Sequence, residues 1–345
     1  MEKIPMPRRF VPRRCVPRRC VPASATLAFA VLAAVTTGAV AAPSGKLVLY
    51  TSQPNADAQQ TVDAFKAKYP AVDVSFVRDG TPKVLAKLRA EIAAGQPQAD
   101  LLLIADSVTM EGLKGEGLLA PHTVDVSAYP AGTHDKDGFW FSTKLITTGI
   151  VYNTKAAMTP TSWLDLTKPE AKGQVQIPSP LTSGAAMIHA VTLTANLKGG
   201  WQYYEALKAN AALANGANGD VLRAVAGGEK LYGFIVDYMP IREKAKGAPV
   251  AFVFPTEGVS AVTEPVAVLK SSKNPEAAGA FVDFLLSPEG QALAVKQGYV
   301  PALPTAPLPA GYPARDAIKV LAFDPAKALA EEGKNRKTFQ DIFAD

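Results

Sequence analysis

The chain has 345 residues, a formal charge of +5 and two cysteines. Residues 1–41 hold both cysteines and seven basic residues against one acid, so the other 304 residues carry a formal charge of −1. That remainder offers no basic field for a nucleic acid, no disulfide, no thiol nucleophile and no cysteine metal ligand. It is long enough for two lobes with separate cores.

The N-terminal segment has its own grammar. Residues 1–22 are arginine-rich, 23–40 are apolar, and Ala39-Val40-Ala41 supplies a small-x-small end. This order predicts a secretory signal peptide over residues 1–41, and with it a periplasmic location. The apolar run is short for a membrane span and meets Pro43-Ser44-Gly45 almost at once. The recurring arginine pairs admit twin-arginine export, but their surroundings favour the general secretory route.

Next, Lys46–Ser52 reads as a buried strand entering a polar loop. Val62, Phe65 and Tyr69 share one face of a helix over 57–69, which Pro70 stops. Val72, Val74 and Phe76 alternate as a strand. Thr81 is placed to cap a helix carrying Val84, Leu85, Leu88 and Ile92. Asp100–Asp106, apolar between its end acids, reads as a strand covered on both faces. Strand and helix alternating in this way predict parallel βαβ units. The middle repeats the pattern, with strands over 149–153, 174–177 and 231–236 and a helix opened by Thr182-Ser183-Gly184-Ala185. Segments 250–254 and 261–269 are extended, 275–286 and 288–297 are helical, the chain is proline-rich to 313, and a last helix covers 338–343. Two α/β lobes explain this order better than one long sheet. The crossings are expected near Gly149 and between Val250 and Pro265.

Open α/β sheets bind ligands at the carboxyl ends of strands. Three loops qualify: Thr51-Ser52-Gln53, Asp106-Ser107 and Thr182-Ser183-Gly184-Ala185. In the third, hydroxyls precede a helix and Gly184 lacks the Cβ that would block a ligand. Such a helix start offers free N–H groups and positive potential, which suit a phosphate, phosphonate or carboxylate. An ordinary serine cap would look the same. Asp237 and Glu264 lie at strand ends and are candidates to face the cleft, although a surface salt bridge or a cap fits each as well. Tyr238 and Trp140 read first as buried aromatics. The three histidines, His122, His134 and His189, have no metal spacing, and neither a G-x-S-x-G elbow nor a Walker loop occurs.

From Leu47 to about Val295 the chain resembles the periplasmic binding proteins of the iron(III), 2-aminoethylphosphonate and sugar-phosphate import group. The resemblance is carried in order by Leu49-Tyr50-Thr51-Ser52-Gln53, Ala99-Asp100-Leu101-Leu102, Gly149-Ile150-Val151-Tyr152-Asn153-Thr154, Pro180-Leu181-Thr182-Ser183-Gly184 and Glu264–Lys270. Asn274-Pro275-Glu276 with Phe281–Gln291 completes the series. It implies a type II two-lobed α/β fold, each lobe a mixed sheet flanked by helices, with the ligand cleft between them. On this reading residues 42–148 plus 262–345 form the first lobe and 149–261 the second. Iron carriers use a histidine, a glutamate and two adjacent tyrosines; the matching positions here are Pro54, Ala105 and Tyr238-Met239. One tyrosine is a poor site for hard Fe³⁺. The family's anion cradle matches Ser183, Gly184, Ala185 and Asn218.

The expected function is therefore non-enzymatic capture of a small anion for an ABC permease by a monomeric chain without a cofactor. The favoured ligand is 2-aminoethylphosphonate or a related phosphonate or phosphate ester. Asp237 or Glu264 would hold the amine, with Asp106 as a weaker candidate; Gln53, Ser107 and Asn218 would serve a sugar phosphate. Ferric iron transport and a secreted enzyme on the same fold are the alternatives. Binding should close the lobes, with Thr51, Ser52 and Ser107 on one side and Ser183, Asn218, Asp237 and Tyr238 on the other.

Overall fold

The computed structural model describes residues 42–344, so the expected signal peptide over 1–41 lies outside the described residues. The chain opens with Gly45–Thr51 (β1), Asn55–Lys68 (α1), Val72–Arg78 (β2), Thr81–Ala93 (α2), Leu101–Leu103 (β3), Ser107–Gly115 (α3), Leu119–Ala120 (β4) and Phe141–Ser142 (β5). The middle holds Lys144–Asn153 (β6), Val175–Ile177 (β7), Gly184–Asn196 (α4), Gln202–Ala209 (α5), Leu213–Ala214 (β8), Asn218–Gly227 (α6), Tyr232–Val236 (β9), Tyr238–Ala245 (α7), Val250–Val253 (β10) and Ser260–Val262 (β11). Then come Pro265–Leu269 (β12), Pro275–Leu286 (α8), Pro288–Lys296 (α9), Val300–Pro301 (β13), Pro325–Ala330 (α10) and Glu332–Phe343 (α11).

Two mixed sheets result. The first runs β2-β1-β3-β12-β4, with β5 also on β12; β1 is parallel to β2 and β3, and β12 is antiparallel to its neighbours. Leu47, Leu49, Leu101, Leu103, Val266 and Val268 point to one face, under α1 and α8. Tyr50, Leu102, Ala267 and Leu269 point to the other, under α2 and α3. That double cover is why the three-leucine strand carries no polar residue. The second sheet runs β10-β6-β9-β7-β8, with β11 and β13 also on β6. Trp163, Tyr203, Tyr204, Tyr232 and Phe234 fill one of its faces, and α6 covers the other through Val221 and Val225.

Local chemistry sets the helix boundaries. Asn274 and Ser287 accept from Ala277 N and Gly290 N, each ahead of a proline in the first turn, so α8 and α9 start where the sequence predicts. Thr81 is the first residue of α2 rather than its cap; Gly80 precedes it and no side chain caps that helix. The strand expected over 100–106 is only Leu101–Leu103, because Asp106 turns to accept from Thr109 N and starts α3.

The chain changes sheets between β5 and β6, at Thr143, and between β11 and β12, at Thr263-Glu264. Gly149 lies inside the continuous strand β6, and the extended stretch 261–269 is broken at Glu264, whose φ is +32°. The tail touches both lobes. β13 pairs with β6, Phe339 packs on the second core, and α10 lies on α3.

Candidate functional site

A cavity of about 320 Å³ lies between the lobes, where loops after strands of both sheets meet helix starts. The second lobe contributes the N-termini of α4 and α6. Ser183 caps α4, its Oγ accepting from Ala186 N at 3.3 Å and from Asn218 Nδ2 at 3.2 Å. Its O–H finds no acceptor among the described residues. Asn218 is fixed in turn by Val236 N, which donates to Oδ1 at 3.3 Å. The backbone amides of Gly184, Ala185, Asn218 and Gly219 find no protein acceptor among the described residues. These are the orphan donors of two helix starts, and they line one cavity. Thr182 is there too, with its hydroxyl already donated to Gly216 O at 2.7 Å.

The first lobe presents Ser52, Arg78, Gly80, Thr81 and Ala105 to the same space. Ser52 Oγ accepts from Ala105 N at 3.0 Å, and its O–H finds no acceptor among the described residues. Arg78 ends β2, and its Nε donates to Gln53 O at 2.7 Å. The lobes touch at the cavity mouth. A Cβ on Gly80 would lie 2.5 Å from Thr182 O, and one on Gly184 would lie 3.2 Å from the Thr81 side chain. Gly80 meets backbone and Gly184 a side chain across the cleft, so each glycine lets the lobes approach where a Cβ would intrude.

The hinge supplies the floor. Lys144 and Glu264, each almost fully buried, form an ion pair with 2.6 Å between Nζ and Oε2. Gln53 Nε2 donates to the same oxygen at 3.4 Å, and the Lys144 ammonium lies 3.9 Å from the centre of the Tyr299 ring. Glu264 lines the cavity, and its Oε1 has no protein donor among the described residues. Burial raises its carboxyl pKa, and the Lys144 charge opposes that rise.

Ser52, Thr182, Ser183, Gly184, Ala185, Asn218, Tyr238 and Glu264 thus come together at the cavity. The other four candidates do not line it. Thr51 is buried, its hydroxyl donating to Leu103 O at 2.8 Å. Gln53 is buried behind the wall and reaches the site only through Glu264. Ser107 opens α3 and borders a different groove, beside Trp140. Asp237 is fully buried: Oδ2 accepts from Thr147 N at 2.9 Å and Oγ1 at 2.7 Å, and Oδ1 from Tyr238 N at 2.7 Å. It holds β6 to the start of α7 and has no face toward a ligand. Burial pushes its carboxyl up to about 6.

Tyr238 packs against Tyr299, with ring centroids 4.4 Å apart, and the Arg242 guanidinium lies 4.5 Å from its ring. Burial raises its phenol pKa. His189 is core, wedged between Trp163 and Phe234, with Nδ1 2.9 Å from Ser260 Oγ, and burial lowers it to about 3. Sequence reasoning missed Arg78, Gly80 and Arg223, all lining the cavity. An arginine at a strand's end was the available signal for Arg78; Arg223, one turn into a helix, gave none.

Two mixed-sheet lobes around a cavity lined by helix starts define a solute-capturing protein of the type II periplasmic-binding class. The chain belongs to the bacterial extracellular solute-binding protein family, whose profile matches residues 50–292. It is the periplasmic solute receptor of an ABC importer. An uncharacterized protein of Haemophilus influenzae is 33% identical over 275 residues, covering 75% of this chain and 78% of that protein. The periplasmic binding protein AfuA of Actinobacillus pleuropneumoniae, solved with exogenous fructose-6-phosphate bound, superposes with a TM-score of 0.79. It is 26% identical over 86% of this chain and 98% of its own. Iron-bound HitA of Pseudomonas aeruginosa superposes at 0.75, also 26% identical, over 86% and 99%.

Proposed function

We propose that the protein captures a small phosphate ester carrying hydroxyl groups, such as a sugar phosphate, and delivers it unchanged to its permease. The observation behind this is the pair of helix starts at Ser183 and Asn218, with four unpaired amides facing one cavity. Their donors and positive potential suit a phosphoryl group without a counter-charge. Ser52 and Glu264 Oε1 remain to accept or donate toward hydroxyls of the organic part. The similarity to AfuA, which holds fructose-6-phosphate, supports the same class of ligand.

Two other ligands fit less well. An amine, as in 2-aminoethylphosphonate, needs a carboxylate of its own. Asp237 is sealed behind the wall, and Glu264 already pairs with Lys144, whose ammonium would repel a second cation. HitA is solved with iron bound, and ferric iron requires several anionic oxygens. Tyr238 lines the cavity with a phenol that burial keeps protonated, and Pro54 and Ala105 stand where the resemblance puts a histidine and a glutamate. Capture by a monomer after export through a signal peptide over residues 1–41 completes the proposal; N-terminal sequencing of the exported protein tests the cleavage site. Calorimetry with fructose 6-phosphate, glucose 6-phosphate, 2-aminoethylphosphonate, inorganic phosphate and ferric citrate tests the ligand. Sugar phosphates should bind tightest and be recovered intact. Tighter binding of 2-aminoethylphosphonate or ferric citrate refutes the assignment, and turnover of the ester refutes capture without catalysis.

A further inference from the structure

We propose that Arg78 is the first lobe's reader of ligand charge: the anionic group held by the second lobe draws the lobes together through this guanidinium. This rests on the phosphate-ester reading, which assigns the anion to the second lobe.

Three cationic side chains border the cavity or its floor. Arg223 is occupied, with Nη2 3.0 Å from Asp220 Oδ1, and Lys144 is occupied by Glu264. Arg78 has no carboxylate within salt-bridge distance among the described residues. It is not loose, however. Its Nε–H donates to Gln53 O at 2.7 Å, and Gln53 is buried, so the root of the guanidinium is anchored where the residue lines the cavity. A planar fork held in that way suits paired hydrogen bonds to phosphoryl oxygens.

Position turns this contact into a closing force. Arg78 is the last residue of β2, two residues before Gly80, which meets Thr182 at the mouth. It therefore moves with the lobe that closes. The cradle opposite consists of neutral amides and one hydroxyl. A dianion bound there keeps its full charge and attracts Arg78 most strongly when the lobes meet. Ligand-driven closure requires such a difference in affinity between open and closed forms. The ligand class follows: a phosphoryl or phosphonyl dianion closes the protein, and the dephosphorylated compound does not.

The test compares wild type, Arg78→Gln, Arg78→Lys and Ser183→Ala with fructose 6-phosphate. Affinity is read by calorimetry at low and high salt, and compaction by solution scattering. Arg78 is exposed, so thermal melts of the free Arg78→Gln and Arg78→Lys proteins should match wild type. Arg78→Gln should weaken binding about ten- to hundred-fold, flatten the salt dependence and lose most of the compaction at saturating ligand. Arg78→Lys should recover part of the affinity. Wild-type affinity and compaction in Arg78→Gln, alongside weakened Ser183→Ala, would overturn the role of Arg78 and leave the cradle standing. Failure of the wild type to bind the ester would overturn the phosphate-ester reading and this role together.

Discussion

Gly80→Ala isolates lobe closure from everything else the protein does. Gly80 has φ −58° and ψ 147°, a conformation that alanine adopts without strain, so the open form should not notice the methyl group. In the closed form the new Cβ would sit 2.5 Å from Thr182 O, about 0.9 Å short of ordinary contact at 3.4 Å. The obstacle is a backbone carbonyl, which cannot rotate away like a side chain. Overpacking of this kind costs about 1–3 kcal/mol, and here it falls on the closed form alone. Affinity for fructose 6-phosphate should drop by roughly 5- to 150-fold, mostly through faster dissociation. The stability of the free protein should stay within the range of neutral surface changes, about 0.5 kcal/mol. Calorimetry and scattering on the same samples provide the check. Unchanged affinity together with unchanged compaction would show that the liganded state does not bring Gly80 to Thr182, and the closure argument would fail.

Asn218→Ala removes the bridge between Ser183 Oγ and Val236 N. It should weaken phosphate-ester binding about tenfold and cost about 1 kcal/mol of stability, measured by calorimetry and urea unfolding. Lys144→Met leaves Glu264 buried without its partner and should destabilise the protein by about 3–5 kcal/mol, while adding Glu264→Leu should restore much of the loss; a double-mutant cycle in urea measures both. Asp237 governs a pH effect. Its folded value of about 6 lies above the unfolded value near 3.9, so between those values the folded chain binds more protons than the unfolded one. This group's contribution to stability therefore falls as pH rises through that window, by about 3 kcal/mol, and levels off above about 6. Unfolding from pH 4 to 7 should show a fall in wild type that Asp237→Asn lacks, and Asp237→Asn should not alter ligand choice.

The parts of the fold written in local chemistry were legible. Leucines at 101–103 announced a strand covered on both faces, and Asn274-Pro275, Ser287-Pro288 and Ser183-Gly184 announced three helix starts. Elements set by long-range contact were not. The helices α5 and α7 span 8 residues each, too few for an apolar face to declare itself. The first crossing falls at Thr143 rather than near Gly149, because β6 runs unbroken on both sides of that glycine. Asp237 was read as a carboxylate at a strand's end, which it is. Its side chain turns inward to Thr147, 90 residues earlier in sequence, and no local pattern reports that. Arg78 and Gly80 acquire their roles only from Gln53 and Thr182 across space.

Glu264 shows why the hinge and the site cannot be separated. It sits at the second sheet crossing with φ +32°, a backbone state that costs a non-glycine residue about 1–3 kcal/mol. Its main-chain oxygen accepts from Thr143 Oγ1 at 2.8 Å, and its side chain accepts from Lys144. Thr143 and Lys144 form the first crossing, so one residue ties both crossing strands and holds its own strained conformation by doing so. Glu264 also lines the cavity between the lobes. A ligand hydroxyl that donates to it adds to the forces on the very residue where the lobes turn. Rotation and recognition then share one set of bonds. The pair with Lys144 sets the cost of moving either strand, and because it neutralises the Glu264 charge the floor would not repel the anionic group of the proposed phosphate ester.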